Sequence, residues 1–353
     1  MDDMNFNPNW RVIVDALADP AVVIDQAGTV IHLNPLVADL FPRVRAGFPV
    51  ALLSREPALL DALQEAGRNE LPMVVQLHDR VPIERKLSAI ITALSVEEID
   101  DRSPAFLIVL RDVTDQERHA QLRADFVANA SHELRTPLAS LKLTLETLLG
   151  AGRDDAEAKQ KFLGMMSAQA DRMIRLIDDL MSLNRVEMRA HLAPRASVDV
   201  GDLLTQTVAT LTPLAQSNDI TLSLTPPGKP VHVRGDHTEL SQVFDNLVQN
   251  GIRYGRVGSR VSISVEYPVD VGGQPLVGIA VADTGIGIAA EHLPRLTERF
   301  FRVSAAASRQ KGGTGLGLAI VKHIVSRHRG ELRIESEPGK GSVFTVLLPI
   351  AAN

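Results

Sequence analysis

Ser131-His132-Glu133-Leu134-Arg135-Thr136-Pro137 places an imidazole beside a carboxylate inside a run with helical periodicity. One ring nitrogen of such a histidine can act as a nucleophile. A carboxylate on the other nitrogen fixes the tautomer and takes up the positive charge that develops. More than a hundred residues later come Asn246 and Asn250, then Asp283-Thr-Gly-Ile-Gly287, then Gly312-Gly-Thr-Gly-Leu-Gly317. Amide oxygens suit a hard cation, and a glycine-rich loop opening a helix offers backbone amides to phosphates. Taken together, these residue types describe phosphoryl transfer from a magnesium nucleotide to an imidazole.

Each element has a plainer reading. A surface histidine next to a glutamate is ordinarily a solvated helix residue. His-Glu also begins a zinc-protease helix, but that motif needs a second histidine at position 136, which is Thr136. Asn246 and Asn250 could simply border an amphipathic helix. Asp283-Thr-Gly resembles an aspartic-protease loop, although the Ile-Gly that follows fits it poorly. The last glycine run lacks Gly-Lys-Ser/Thr and so is no P-loop, and the chain has no His-Arg-Asp or Asp-Phe-Gly of the eukaryotic-type kinases.

Three regions must position these residues. Residues 1–112 read as a mixed α/β module: Ala21–Asp25 and Thr29–Leu33 form strands around Gly28, helical fragments lie near 55–67, and longer strands cover 86–94 and 105–110. The acidic stretch 97–101 reads as an exposed turn. Residues 113–192 become helical. Leu122, Phe126, Ala130, Leu134, Leu138, Leu141, Leu145 and Leu148 recur at spacings of three and four. Asp154-Asp155 opens a second helix whose apolar face is Phe162, Met166, Met173, Ile174, Ile177, Leu180 and Met181. Gly150-Ala-Gly152 joins the two as a hairpin. One hairpin leaves its stripes partly open, whereas two packed as a four-helix bundle cover them, which predicts a homodimer.

Ala193-Pro194 marks a hinge, and residues 197–353 return to α/β. Helices are expected at 202–215, 238–254 and 316–327, with strands at 220–224, 260–267, 277–282, 331–335 and 343–348. The fold class is thus α+β multidomain, ending in an α/β sandwich whose helices cover one face of a mixed sheet.

Helical phase refines the candidates. At about 100° per residue, His132 lies opposite the apolar stripe of its helix, with Thr136 on the same outer face. Pro137 removes an amide donor and crowds the carbonyl of Glu133, so a local bend is expected. On the helix 238–254, Leu240, Val243, Phe244, Leu247, Val248 and Gly251 define the buried side. Asn246, Asn250 and Arg253 share a sector of roughly 60° on one flank. Glu298-Arg-Phe-Phe-Arg-Val303 and the small-residue run to Gln310 read as a hinged lid.

Composition excludes much else. The 353 residues are 45% hydrophobic and 23% charged, enough for two or three cored domains. A net charge of −6 argues against nucleic acid, which selects a basic face. With no cysteine, disulfides, thiolate metal sites and cysteine catalysis are unavailable. No apolar run approaches the roughly 18–20 residues of a membrane span, and the acidic start is no signal peptide. A soluble cytoplasmic chain is the expectation.

In this order and spacing the segments resemble the bacterial two-component sensor histidine kinases over residues 122–349. Phe126–Leu138 is similar to the family's H box, Asn246–Asn250 to its N box, Asp283–Gly287 to G1, Glu298–Arg302 to F and Gly313–Gly317 to G2. The resemblance implies a dimerization and phosphotransfer domain followed by an ATP-binding domain of the gyrase/chaperone/histidine kinase type. It implies His132 as phosphoacceptor, Glu133 as base, and Thr136 as the residue orienting water for dephosphorylation of a cognate response regulator. Asn250 and Asn246 would hold Mg2+, and Asp283 would read adenine. Arg253, Tyr254, Gly285, Gly287, Arg302, Gly313, Thr314, Gly315, Leu316 and Gly317 complete the ATP site.

Arg253 stands where the family usually has Lys, and Gly251 where Ala is usual. Residues 1–112 resemble a PAS sensor domain, through Asp25–Val30, Asn34 and Arg111–Asp115, with an unknown ligand. The whole order is most similar to phosphate-regulon sensor kinases. Those relatives carry a membrane anchor, so peripheral attachment, or origin as the cytosolic part of an anchored kinase, is the alternative location. A degenerate dimeric scaffold, or another two-component pathway, is the alternative function.

Overall fold

The computed structural model describes residues 10–69, 71–79, 85–94, 105–150, 155–189, 192–271, 274–303 and 313–351. It divides into two units, Met1–Asp125 and Phe126–Asn353.

The first unit is a five-stranded antiparallel sheet with small helices. Helix α1 (Trp10–Asp15) leads to β1 (Ala21–Ile24) and β2 (Val30–Leu33), followed by α2 (Val37–Leu40), α3 (Pro57–Asn69), β3 (Met73–Asp79), β4 (Arg85–Ala93) and β5 (Phe106–Asp112). The strand order is β2-β1-β5-β4-β3. All four residues of β1 are buried, because both faces of the sheet are covered there. Val22 and Ile24 face a core shared with α2 and α3, while Ala21 and Val23 pack with Val14 and Trp10 of α1. Asn34 is fully buried and satisfied: it accepts from the Ala21 amide at 3.0 Å and donates to the Asp19 carbonyl at 3.0 Å. The strand β3 was missed from sequence, where only helical fragments filled that interval. The acidic stretch 97–101 lies outside the described residues.

Helix α4 (Thr114–Leu149) continues through Pro137, where a bend was expected, and α5 (Ala156–Met188) returns. Asp155 caps α5 by accepting from the amides of Glu157 and Ala158, both at 3.0 Å. Of the loop, Gly150 alone is described up to Asp155. The apolar stripes foreseen on these helices are only partly covered: Phe126, Leu134 and Leu180 pack on the C-terminal core. Leu138, Leu145, Ile174, Ile177 and Met181 are exposed, and the buried positions of α5 are Leu176, Leu183 and Val186. That second stripe joins the core of the C-terminal layer.

This layer contains β6 (Ser197–Asp199), α6 (Val200–Ser217), β7 (Thr221–Thr225), β8 (His232–Arg234), α7 (His237–Tyr254), β9 (Arg260–Val271) and β10 (Gln274–Asp283). It closes with α8 (Gly317–Arg327), β11 (Glu331–Glu337) and β12 (Gly341–Pro349). The sheet order is β11-β12-β10-β9-β7, with β7 parallel to β9 and the other neighbours antiparallel. Helices α6, α7 and α8 share one core with it, built around Phe244, Leu247, Ile279 and Ile320. Asp199 and Asp236 cap α6 and α7.

His328, at the end of α8, ties that helix to the start of α7. Its Nδ1 lies 2.8 Å from the Ile324 carbonyl, and its Nε2 accepts from the Asp236 amide at 3.0 Å. Those partners fix the neutral ring with the proton on Nδ1. Burial pushes the His328 pKa below its ordinary value, against the Ile324 carbonyl and Glu239, which raise it; Arg327 lowers it further and Asp236 raises it. The unfolded chain therefore binds this proton first as pH falls, so the stability contributed by His328 is complete above roughly pH 6.5 and is lost below it. Urea unfolding of the whole chain should show a steeper loss of stability below about pH 6.5 than His328→Gln, which itself should cost about 1–3 kcal/mol at neutral pH. Parallel pH profiles for the two chains would contradict this role.

Candidate functional site

The polar flank of α7 opens onto a cavity of about 700 Å³. Asn246, Asn250, Arg253 and Tyr254 line it, because the opposite side of α7 is taken up by Leu240, Val243, Phe244, Leu247 and Val248 in the core. Asp283, at the end of β10, lines one end with Ile286, Gly287, Ser342 and Phe344. Burial pushes its carboxyl up, and the Gly285 amide, donating to Oδ1 at 2.8 Å, opposes that shift. A half-buried carboxylate flanked by Ile286 and Phe344 suits the amine edge of a flat base.

Gly313, Thr314, Gly315 and Gly317 line the other side, and Arg302 joins them. Gly285 and Leu316 do not line the cavity: Leu316 is fully buried beneath the loop, and Gly285 supplies the amide to Asp283. Gly287 has φ 67°, and a Cβ there would lie 2.0 Å from the Glu337 carbonyl oxygen. Gly251 packs so closely on Val261 that a Cβ would approach its methyl at 3.0 Å. Glycine in the place of alanine thus goes with the bulk of Val261.

Two buried donors, Asn246 Nδ2 and Arg302 Nε, have no hydrogen-bond partner among the described residues. Unpaired donors beside a glycine-rich loop and a helix N-terminus call for an acceptor-rich ligand, and phosphate oxygens meet that need. The amide oxygens of Asn246 and Asn250 on the same flank fit a hard cation held together with such phosphates.

On α4, His132 and Thr136 are exposed, and the Thr136 hydroxyl donates to the His132 carbonyl at 3.2 Å. Glu133 faces elsewhere. It accepts from Arg302 through Nη2 at 3.0 Å and Nη1 at 3.4 Å, and from Arg172 of α5 at 3.4 Å. So His132 does not line the cavity, but its neighbour is bonded to a residue that does. Phe300 holds a φ of 62°, a strained setting for an aromatic residue. Its amide donates to the Gly315 carbonyl at 2.8 Å and its ring packs 5.8 Å from Phe126 of α4.

Residues 122–189 match the His Kinase A (phospho-acceptor) domain, and residues 235–352 match the histidine kinase-, DNA gyrase B- and HSP90-like ATPases. The phosphate regulon sensor protein PhoR of Pseudomonas aeruginosa is 37% identical over 336 residues, covering 94% of this chain and 72% of that protein. The chain belongs to the sensor histidine kinases. The sensor-like histidine kinase SenX3 of Mycobacterium tuberculosis is 35% identical over 344 residues, covering 96% of this kinase and 79% of that one. Among solved structures, the histidine kinase ThkA in complex with the response regulator TrrA aligns with a TM-score of 0.50 at 19% identity, over 96% of this chain and 98% of that one. That likeness concerns the fold.

The kinase thus has a phosphoacceptor helical region and a C-terminal ATPase-type α/β domain, and it uses ATP. Its cavity also contains residues that sequence reasoning did not foresee. Arg175, Asp178 and Asp179 reach it from α5, and Thr238, Ser241, Gln242 and Asp245 extend it along α7. Arg175, Asp178 and Asp179 fall three and four apart on α5, interrupting its apolar positions, a signal that was present in the sequence. Residues 304–312, which hold most of the expected lid and Gly312, lie outside the described residues.

The kinase has no room for a side chain at Gly287. Gly287→Ala should destabilise it by at least about 2 kcal/mol, from the left-handed backbone and the clash with Glu337 together. Thermal unfolding with and without ATP measures this, and an unchanged midpoint would show that the β10–β11 connection yields freely.

Proposed function

We propose that this kinase autophosphorylates His132 from ATP, passes the phosphoryl group to an aspartate of a response regulator, and also dephosphorylates that regulator. One observation carries the reading: Glu133, adjacent to His132, is bonded to Arg302, which lines the cavity. In the transfer, a ring nitrogen of His132 attacks the γ-phosphorus, the bond to the bridging oxygen breaks, and ADP leaves with the electron pair. Glu133, released from the arginines, accepts a hydrogen bond from the N–H of the other ring nitrogen and takes its proton as the ring becomes cationic. Arg302, Thr314 and the amides of Gly313, Gly315 and Gly317 hold the phosphates, while Asp283 reads adenine. Arg253 and Tyr254 border the phosphates from α7. Asn250 and Asn246 would hold magnesium, which would supply positive charge to the phosphate oxygens.

Thr136 is exposed on the same face as His132, as a residue orienting water toward a regulator's phosphoaspartate must be. The open apolar row of Leu138, Leu145, Ile174, Ile177 and Met181 supports a homodimeric four-helix bundle, since a lone hairpin leaves it in water. The strand order β2-β1-β5-β4-β3, with α2 and α3 over one face and α1 against the other at β1, supports a PAS sensor domain in residues 1–112. Similarity to the phosphate regulon sensor PhoR supports phosphate-starvation signalling. No helix among the described residues is long and apolar enough to cross a membrane. The domains are then a sensor at 1–112, the signalling helix and phosphotransfer hairpin at 113–192 and the ATP-binding domain at 197–353.

With γ-labelled ATP the chain should acquire an acid-labile, base-stable label that His132→Ala abolishes; label surviving that substitution would sink the assignment. Thr136→Ala should retain autophosphorylation and lose most regulator dephosphorylation, by about 10²-fold if it positions the attacking water. Equal loss of both activities would refute its separate role.

A further inference from the structure

Both helices of the hairpin send a carboxylate into the group of cations and donors assigned above to phosphate. From α4, Glu133 sits on Arg302. From α5, Asp179 accepts the Thr314 hydroxyl at 2.7 Å, and Arg253 and Arg175 both act on its charge. Asp179 itself lines the cavity. Thr314 is held in place from behind, where the Leu316 amide donates to its oxygen at 3.3 Å, so its hydroxyl hydrogen is aimed at Asp179.

We infer that Asp179 is an internal competitor of the nucleotide's phosphates. Its carboxylate occupies the Thr314 end of the phosphate site, and a phosphate oxygen must displace it. This rests on the nucleotide reading above and goes beyond it, because it assigns a role to α5 in setting ATP affinity.

Two physical points favour displacement over coexistence. A phosphate group and the Asp179 carboxylate repel each other at this range, and both seek the same hydroxyl donor. Burial also pushes the Asp179 carboxyl up, against the hydrogen bond from Thr314 and the field of Arg253, so its charge is only partly compensated where it sits. A triphosphate carries more charge to the same donors and wins the exchange. By reciprocity, whatever seats α5 on the ATP-binding layer lowers ATP affinity, and ATP loosens α5 at this point.

The test is equilibrium binding of AMP-PNP and of adenosine, each with magnesium, to the whole chain. The competent fraction of the site scales the apparent affinity. Asp179→Asn should tighten AMP-PNP binding about tenfold and leave adenosine binding within about twofold, because adenosine never reaches Thr314. Asp179→Glu should stay near the unaltered chain, since it keeps the competing charge. Should the Asn variant fail to fold, Asp179→Ala carries the same expectation. An unchanged AMP-PNP affinity overturns the inference alone, as does equal tightening of adenosine, which would mean general loosening of α5. Binding of neither ligand by either chain overturns the nucleotide reading with it.

Discussion

Helix α7 has to bury Leu240, Val243, Phe244, Leu247, Val248 and Ile252 among α6, α8 and the sheet, and the rest of the site follows from that requirement. With those side chains inward, helical phase leaves Asn246, Asn250 and Arg253 facing the cavity. A slip of one residue would turn the helix by about 100°, bring amide groups into an apolar core and expose Phe244. Burying even one unpaired amide costs about 1–3 kcal/mol, and losing a buried phenylalanine costs as much again. The functional groups contribute nothing to this aim and need not. Packing points them, and the N-cap at Asp236, braced by His328, fixes where the turn begins.

The same logic acts on α5 with a different result, because that helix has two apolar sides. Leu176, Leu183 and Val186 are buried against the ATP-binding layer, each worth about 1.5–3 kcal/mol of transfer energy. The other row, with Ile174, Ile177 and Met181, stays open. Ion pairs between α5 and the layer, such as Glu187 with Arg299 at 2.5 Å, are half-exposed and worth about 0–1 kcal/mol each. The apolar contact therefore holds the hairpin to the layer, while the polar contacts choose the register. Ser182 to Gln242 at 2.7 Å, and Arg327 donating to the Arg189 carbonyl at 3.1 Å, are of that kind. A helix held by a small apolar stripe and weak ion pairs can leave, as the proposed delivery of His132 to different partners requires.

Much of this was legible in the sequence. The long helices α4 to α8 and the strands β9 to β12 came from periodicity, and the box residues from type and order. What was not legible has a common cause: it depends on tertiary pairing. Strand β3, Met73–Asp79, alternates only loosely and takes its meaning from β4 alongside. The buried stripe of α5 was hidden because Met173, Ile174 and Ile177 are as apolar as Leu176 and Leu183, so composition could not say which side meets the layer. The bond from Arg302 to Glu133 spans 169 positions and leaves no local trace. Adjacency suggested that Glu133 would serve His132, yet in this arrangement its carboxylate goes to two arginines. Pro137 likewise predicted a local bend, and α4 runs on through it as one helix.

Arg302, together with Arg175, also gives a reason for the departure at position 253. Arg253 lies in a crowded positive region, with Arg175 and Arg302 both lowering its affinity for a proton after burial has done so. A lysine there would face the same desolvation and the same like charges with a lower starting pKa, and an ammonium sheds its proton readily under those conditions. A guanidinium keeps its charge. Once Arg175 enters from α5, arginine is the cation that stays charged both when the hairpin's carboxylates fill the site and when phosphates replace them. The substitution at 253 and the carboxylate at 179 then belong to one arrangement: a site whose positive charge persists, and whose anion is exchanged.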